Sequence, residues 1–407
     1  MRRVAVTGIG VISALGANAG EFGEGLRTGR SGIAPIEGVD VTQLRFQNGA
    51  EVRGYSHQRY FDNRHATFLD RFSQFALIAA REAAGSAQID WGSVVRDTAS
   101  VVTGSCVGGQ TTQDETFQIL YRQEENRVHP FSIAKTMSNA GASHISKEFG
   151  ITGPCFTFST ACASAAHAIG HAFWMIRSGA TELAITGGSE APFSFGFLKA
   201  WEAMRVVSPD SCRPFSQDRN GLIIGEGGAM LILEPLDRAL ARGAPIHGEI
   251  TGFGMSSDAG HITQPSREGP AAAMRAAMRD ARLQPEQVGY INAHGTGTRA
   301  NDVTESEAIR DVFGPHAERL ALSSTKSMHG HAFGASPALE AVATVVALRD
   351  GFLPPTIHFT GADPACGLDV IPNRAREMRV ENALSNSFAF GGLNAVLAFR
   401  RWDPARQ

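Results

Sequence analysis

The chain has 407 residues, 43% of them hydrophobic, and a formal charge of −3, which excludes a disordered chain and gives no global reason to expect nucleic acid or an anionic membrane as partner. Its length suits two domains or one large double unit. The five cysteines (Cys106, Cys155, Cys162, Cys212 and Cys366) are odd in number and form no CxxC pair, which disfavours a disulfide framework and a zinc site and points to a reducing, cytoplasmic setting.

At the N-terminus Met1-Arg2-Arg3 precedes the apolar run Val4-Ala5-Val6-Thr7, but Gly8 and Gly10 break that run early and no uninterrupted membrane-length span follows. Val4–Thr7 reads as a buried strand leading into a turn at Gly8-Ile9-Gly10. A dinucleotide fingerprint would need a third glycine where Ser13 stands, and no GxxxxGK[ST] loop exists. Thr7-Gly8-Ile9-Gly10 is echoed by Thr251-Gly252-Phe253-Gly254, which suggests an internal duplication. Residues 1–245 and 246–407 are the predicted halves, the first carrying Cys162 and the second His294 and His331.

Between these openings helix and strand signals alternate. Helices are predicted over 61–87, 113–123, 163–177, 270–282, 305–313 and 338–349, with strands over 100–103, 155–158, 183–186, 229–233, 288–292, 321–324 and 395–400. Residues 208–221 and 354–372 read as long loops. Such alternation implies an α/β protein with mainly parallel sheets and sites at the carboxyl ends of strands.

Cys162 stands where the strand Cys155–Phe158 gives way to a helix. Helix N-terminal N–H groups favour a thiolate, so the residue is either a nucleophile or a buried structural cysteine. His294 follows a strand inside Asn292-Ala293-His294-Gly295-Thr296-Gly297-Thr298, and these flanking glycines favour a functional over a structural histidine. His331 precedes a helix, a position that biases imidazole toward its neutral form. A metal pair of His329 and His331 lacks supporting carboxylates or thiols. His167 and His171 have zinc-helix spacing, but Ala168 stands where that motif needs glutamate, which favours a structural reading. Phe388-Ala389-Phe390-Gly391-Gly392 offers either core packing or a movable aromatic gate.

Taken together, Thr160-Ala161-Cys162, His294-Gly295-Thr296-Gly297-Thr298, Thr325-Lys326-Ser327-Met328-His329-Gly330-His331 and Asn386-Ser387-Phe388-Ala389-Phe390-Gly391-Gly392 resemble the motif set of β-ketoacyl synthases of the KAS II type, from Val4 to about Phe399. Some wordings are similar to nodulation-type and polyene-type ketosynthases. The resemblance implies the thiolase fold, a duplicated five-layered αβαβα architecture. It assigns Cys162 as acyl-carrying nucleophile, His294 and His331 as promoters of malonyl decarboxylation, and Lys326 and Glu340 as their supports. It further assigns the backbone N–H groups of Cys162 and Phe390 as the oxyanion hole, Phe390 as gate, and Thr296 and Thr298 as pantetheine contacts.

The same resemblance implies an acyl carrier protein as partner, docking on a thin patch at Arg64, Arg127 and Arg205. The enzyme would need no cofactor or metal of its own, since the 4'-phosphopantetheine arrives on the carrier. It also implies a homodimer or a heterodimer with a synthase-like subunit. Ala389 and Pro337 depart from the family's usual glycines. A chain-length-factor subunit would lack Cys162, and a coenzyme A thiolase would carry a second cysteine near Gly391-Gly392, where none stands.

Overall fold

The computed structural model describes every residue except Val95, Glu124, Glu125 and Gln407, and Arg406 through its backbone. Ten strands among the described residues form one sheet: β1 (Val4–Ser13), β2 (Ala99–Gly104), β3 (Cys155–Phe158), β4 (Leu183–Glu190), β5 (Gly227–Pro235), β6 (Gly248–Ser257), β7 (Val288–Asn292), β8 (Ala321–Ser323), β9 (Asn382–Ala389) and β10 (Leu393–Arg400). Their order across the sheet is β8-β7-β9-β10-β6-β1-β5-β4-β2-β3. Read outward from the centre, one half runs 1-5-4-2-3 and the other 6-10-9-7-8, the same path five strands later. The halves meet along a short antiparallel seam, Val4 to Val6 against Gly248 to Ile250.

The sheet is mixed rather than mainly parallel. In each half the outer three strands pair in parallel and the inner three antiparallel. Connection length decides this for β9 and β10, which are joined by Phe390-Gly391-Gly392 with both glycines at positive φ, far too short for a parallel crossover.

The echoed Thr-Gly-x-Gly segments are not turns. They lie inside β1 and β6, where a helix presses on the strand. A Cβ on Gly8 would stand 2.1 Å from the Ala83 carbonyl, and one on Gly254 2.2 Å from that of Ala273. Similarly, β4 runs on through Gly187-Gly188 to Glu190.

The helices that matter below are α1 (Arg71–Ser86), α2 (Gln110–Arg122), α3 (Ala140–Phe149), α4 (Ser164–Ser178), α5 (Phe195–Met204), α6 (Glu268–Ala281), α7 (Arg299–Phe313) and α8 (Ser336–Asp350). The single helix predicted over 61–87 is broken. A short turn at Asn63–Ala66 precedes α1, and Asp70 starts α1 by accepting the Phe72 N–H at 3.0 Å.

Helices α4 and α8 lie between the two halves and touch strands of both, while α1 and α3 cover one outer face and α6 and α7 the other. This is the five-layered α/β architecture. Its centre explains α8, where Ser336 through Leu348 are buried on every side, so the helix shows no polar face. The main apolar core joins α4 and α8 to strands of both halves. No described helix is long and apolar enough to cross a membrane.

Candidate active site

Cys162 and His331 hold equivalent places in the two halves, Cys162 between β3 and α4 and His331 between β8 and α8. The turn before Cys162 is strained: Ala161 has φ of 47°, a conformation costly for a residue with a Cβ. Ser164 holds it, its hydroxyl accepting the Thr160 N–H at 2.9 Å and donating to the Ala161 carbonyl at 2.6 Å. The Cys162 side chain is 7% exposed.

Burial pushes the Cys162 thiol up to about 12, against the opposing pull of Lys326 and of the nearby Phe390 backbone N–H; Glu190 and Glu340 add to the rise. The thiolate expected from the helix N-terminus is therefore corrected. Desolvation outweighs the helix end, and the resting residue is a thiol.

His294 and His331 face each other with ring centroids 5.6 Å apart at 85°. Both lie well below the ordinary histidine value, chiefly through burial and then through the nearby Lys326 cation, so both imidazoles are neutral. The Lys326 ammonium is fully buried. It donates to the His294 carbonyl at 2.6 Å, reaches His294 Nδ1 at 3.4 Å, and pairs with Glu340. An ammonium can only donate, so His294 Nδ1 is the acceptor and Nε2 carries the proton.

His331 Nδ1 lies 2.8 Å from Ser336 Oγ at the start of α8, and its backbone N–H donates to the Ile223 carbonyl at 2.7 Å. Glu305, on α7, secures the loop of His294 by accepting the N–H groups of His294 and Gly295, each at 2.8 Å.

One cleft gathers Cys162, His294, His331, Thr296, Thr298 and Phe390, and Cys162 is its only cysteine among the described residues. Thr296 and Thr298 sit side by side in it, with hydroxyls 2.9 Å apart. Phe390 is 37% exposed and stacks on Trp201 of α5 at 5.9 Å and 12°. The turn of Phe390 is tied to the segment after β6 by the Gly391 N–H, which donates to the Ile262 carbonyl at 2.7 Å.

Arg64, Arg127 and Arg205 are exposed and do not line the cleft, although Arg205 adjoins Val206, which does. His329 is engaged at both ring nitrogens, with Gly330 O and Thr325 Oγ1, and cannot share a metal with His331. His167 and His171 bind their own helix through Ala163 O and His167 O.

Sequence reasoning missed Trp201, Glu305 and Ser336. Trp201 carries no motif, and Glu305 and Ser336 act through hydrogen bonds that require the folded chain. The strain at Ala161 leaves no trace in residue type at all.

A duplicated α/β sheet with a buried thiol and two neutral imidazoles at the carboxyl ends of its strands defines a thiolase-fold acyltransferase. Two family models match in series, the beta-ketoacyl synthase N-terminal domain over residues 1–239 and its C-terminal domain over residues 247–360. The chain belongs to the β-ketoacyl synthase family. It is 46% identical over 400 residues to Nodulation protein E of Rhizobium sp. (strain N33), covering 98% of this chain and 99% of that one. It is 41% identical over 410 residues to 3-oxoacyl-[acyl-carrier-protein] synthase 2 of Synechocystis sp., covering 99% of each. Among solved structures, the ishigamide ketosynthase/chain length factor superposes with a TM-score of 0.95 at 37% identity, covering 99% of this chain and 100% of that one.

Proposed function

We propose that the chain is a β-ketoacyl-[acyl carrier protein] synthase that joins two carbons from a malonyl thioester to an acyl chain held on Cys162. The observation that carries this reading is the convergence of Cys162, His294, His331 and Phe390 on one cleft.

In the first step the Cys162 thiol gives up its proton within the cleft and its sulfur attacks the acyl thioester carbonyl. The N–H groups of Cys162 and Phe390 stabilise the tetrahedral oxyanion, and the carrier thiol leaves with a proton. In the second, a malonyl thioester loses CO2. The Nε2–H of His294 and a ring N–H of His331 donate to the thioester oxygen as it takes enolate charge, strongly so because both imidazoles are buried. The enolate carbon then attacks the acyl carbonyl on Cys162, a carbon–carbon bond forms, and the sulfur leaves and is reprotonated. Neutral histidines suit this step, since each must donate without carrying charge into a buried site. Lys326 and Glu340 hold His294 in its donor tautomer.

We read Thr296 and Thr298 as contacts for the pantetheine arm, Phe390 as the gate and Arg205 as the carrier contact nearest the cleft, with Arg64 and Arg127 as further docking positions. The prosthetic arm belongs to the carrier, and the enzyme needs no other cofactor. Residues 1–245 and 246–407 form the two thiolase-like halves. The second subunit of a homodimer or heterodimer docks on the free edge of β3, whose Phe156 is exposed. The related carrier-dependent synthases support a cytoplasmic enzyme.

The test is to incubate the pure protein with malonyl and acyl carrier proteins of graded chain length and follow Cys162 and the product by mass spectrometry. Acylation of Cys162 followed by a product two carbons longer is expected. A Cys162 that stays free with every donor, with or without a synthase-like partner, refutes the proposal.

A further inference from the structure

Residues 208–221 read from the sequence as a long loop, and the reaction above makes no use of them. In the structure residues 212–225 run behind the cleft and hold two of its working parts. Three successive carbonyls of the loop after His294 accept from this stretch. The Cys212 thiol donates to the Thr296 carbonyl at 3.5 Å, the Gly221 N–H to that of Gly297 at 3.1 Å, and Arg219 Nε to that of Thr298 at 3.3 Å. With its carbonyls engaged from behind, the loop leaves the Thr296 and Thr298 hydroxyls together in the cleft, 2.9 Å apart.

The contact is close. A Cβ on Gly297, where φ is 77°, would stand 2.8 Å from the Gly221 carbonyl oxygen and 3.3 Å from Cys212 Sγ. Just beyond, the same stretch takes hold of His331 by its backbone on both sides: the Ile223 carbonyl accepts the His331 N–H at 2.7 Å, and the Gly225 N–H donates to the His331 carbonyl at 3.0 Å. One run of chain therefore sets the distance from the threonine pair to His331.

Arg219 anchors that run. Its side chain is only 2% exposed, and its guanidinium also donates to the Ser216 carbonyl at 2.8 Å, the Arg299 carbonyl at 3.3 Å and Asp363 at 2.6 Å. Asp302, buried in the first turn of α7, lies 3.5 Å from Nε and accepts the Phe215 N–H at 2.8 Å and the Gly297 N–H at 3.3 Å. A planar fork of five N–H donors can serve carbonyls and carboxylates on three segments at once, whereas a lysine ammonium offers a single nitrogen.

We propose that Arg219 is a positioning residue of the condensation: it locks residues 212–225 behind the cleft, so that the Thr296 and Thr298 hydroxyls stand at a fixed distance from His331. The inference rests on reading the two threonines as contacts for the pantetheine arm. Through them Arg219 places the malonyl thioester against the histidines without touching it.

The probes are malonyl-pantetheine, which carries the amides of the arm, and the S-ethyl malonyl thioester, which lacks them, each given to the full chain. Mass spectrometry follows the acetyl thioester left by loss of CO2, and the quantity read is the ratio of kcat/KM for the two probes. Arg219→Lys keeps the positive charge but not the fork, and should lower this ratio about tenfold. Thr296→Val/Thr298→Val, with neither hydroxyl, should lower it at least as far. Adding Arg219→Lys to that variant should lower it no further, because the arginine acts through the threonines.

A merely structural arginine would lower both rates alike and leave the ratio unmoved. An unmoved ratio in Arg219→Lys where the threonine variant moves it, or a tenfold fall that persists when the hydroxyls are absent, overturns the inference. A ratio unmoved in the threonine variant removes the reading of the threonines as arm contacts, and the inference with it. Should Arg219→Lys fail to fold, Cys212→Ala removes the donor to Thr296 and should lower the ratio about twofold, while Cys212→Ser keeps a donor and should restore it; equal ratios in these two variants overturn the inference as well.

Discussion

Replacing Lys326 with methionine removes a cation that lies fully buried against Glu340. Glu340 Oε2 has no other hydrogen-bond partner, so the carboxylate is left uncompensated at both oxygens. Breaking a buried pair from one side costs about 3–5 kcal/mol. An independent bound comes from protonation, the exit available to the stranded group. Holding a carboxyl neutral at pH 7 when its unfolded value is 4.5 costs about 3 kcal/mol, and at pH 5.5 about 1 kcal/mol. The two routes agree, so Lys326→Met should lose about 3 kcal/mol at pH 7 and recover most of it at pH 5.5. Lys326→Met/Glu340→Leu should recover stability at both pH values, because no buried charge remains. Urea midpoints at the two pH values measure this. A single variant whose deficit is the same at both, or a double variant no more stable than the single, would refute the assignment of a buried charged pair. Both variants should lose malonyl decarboxylation, since His294 Nδ1 loses its donor.

His294→Ala and His331→Ala should each keep acylation of Cys162 while losing malonyl decarboxylation by at least about a hundredfold; unchanged condensation in both would sink their assigned roles. Thr296→Val and Thr298→Val should raise KM for carrier-bound substrates about five- to tenfold with little change in kcat, each losing one hydrogen bond to the arm; steady-state kinetics against free pantetheine thioesters and carrier thioesters checks this. Burial holds the folded values of His247 and His329 at about 4 and about 3, below the unfolded 6.5. The unfolded chain then binds more protons across that window, so both contribute stability that is present above pH 6.5 and lost as pH falls toward 3. Glu190, raised by burial to about 7, acts oppositely, its contribution fading as pH rises from 4.5 to 7. Melting curves of wild type, His247→Asn and Glu190→Gln separate the two limbs. Gly254→Val should prevent folding, because its Cβ would stand 2.2 Å from the Ala273 carbonyl; a soluble variant with the native circular dichroism would contradict the close packing of α6 on β6.

Several features were legible in residue order because they depend on local chemistry. The strand Cys155–Phe158 and the helix behind Cys162, stopped by Gly179 at φ of 81°, follow from β-rich and small helix-forming residues and from a glycine that accepts the left-handed conformation. The duplication was visible in two Thr-Gly-x-Gly segments, but their meaning was not. They looked like turns because glycine usually breaks strands, whereas here it admits a helix backbone that no neighbouring residue announces. The mixed sheet was hidden for a similar reason, since strand direction is set by the length and geometry of connections rather than by the strands' own composition.

Residue types and spacing by themselves determined the α/β alternation, the two halves and the set of groups available to a site: one thiol, two strand-end histidines, one lysine and an aromatic turn. Their protonation states were decided only by the tertiary structure. Helix position argued for a thiolate at Cys162, while burial between the two halves makes it a thiol and makes both histidines neutral. The reason is that a helix end acts within one turn of chain, but desolvation depends on every segment that closes over the group, and those segments lie far apart in sequence.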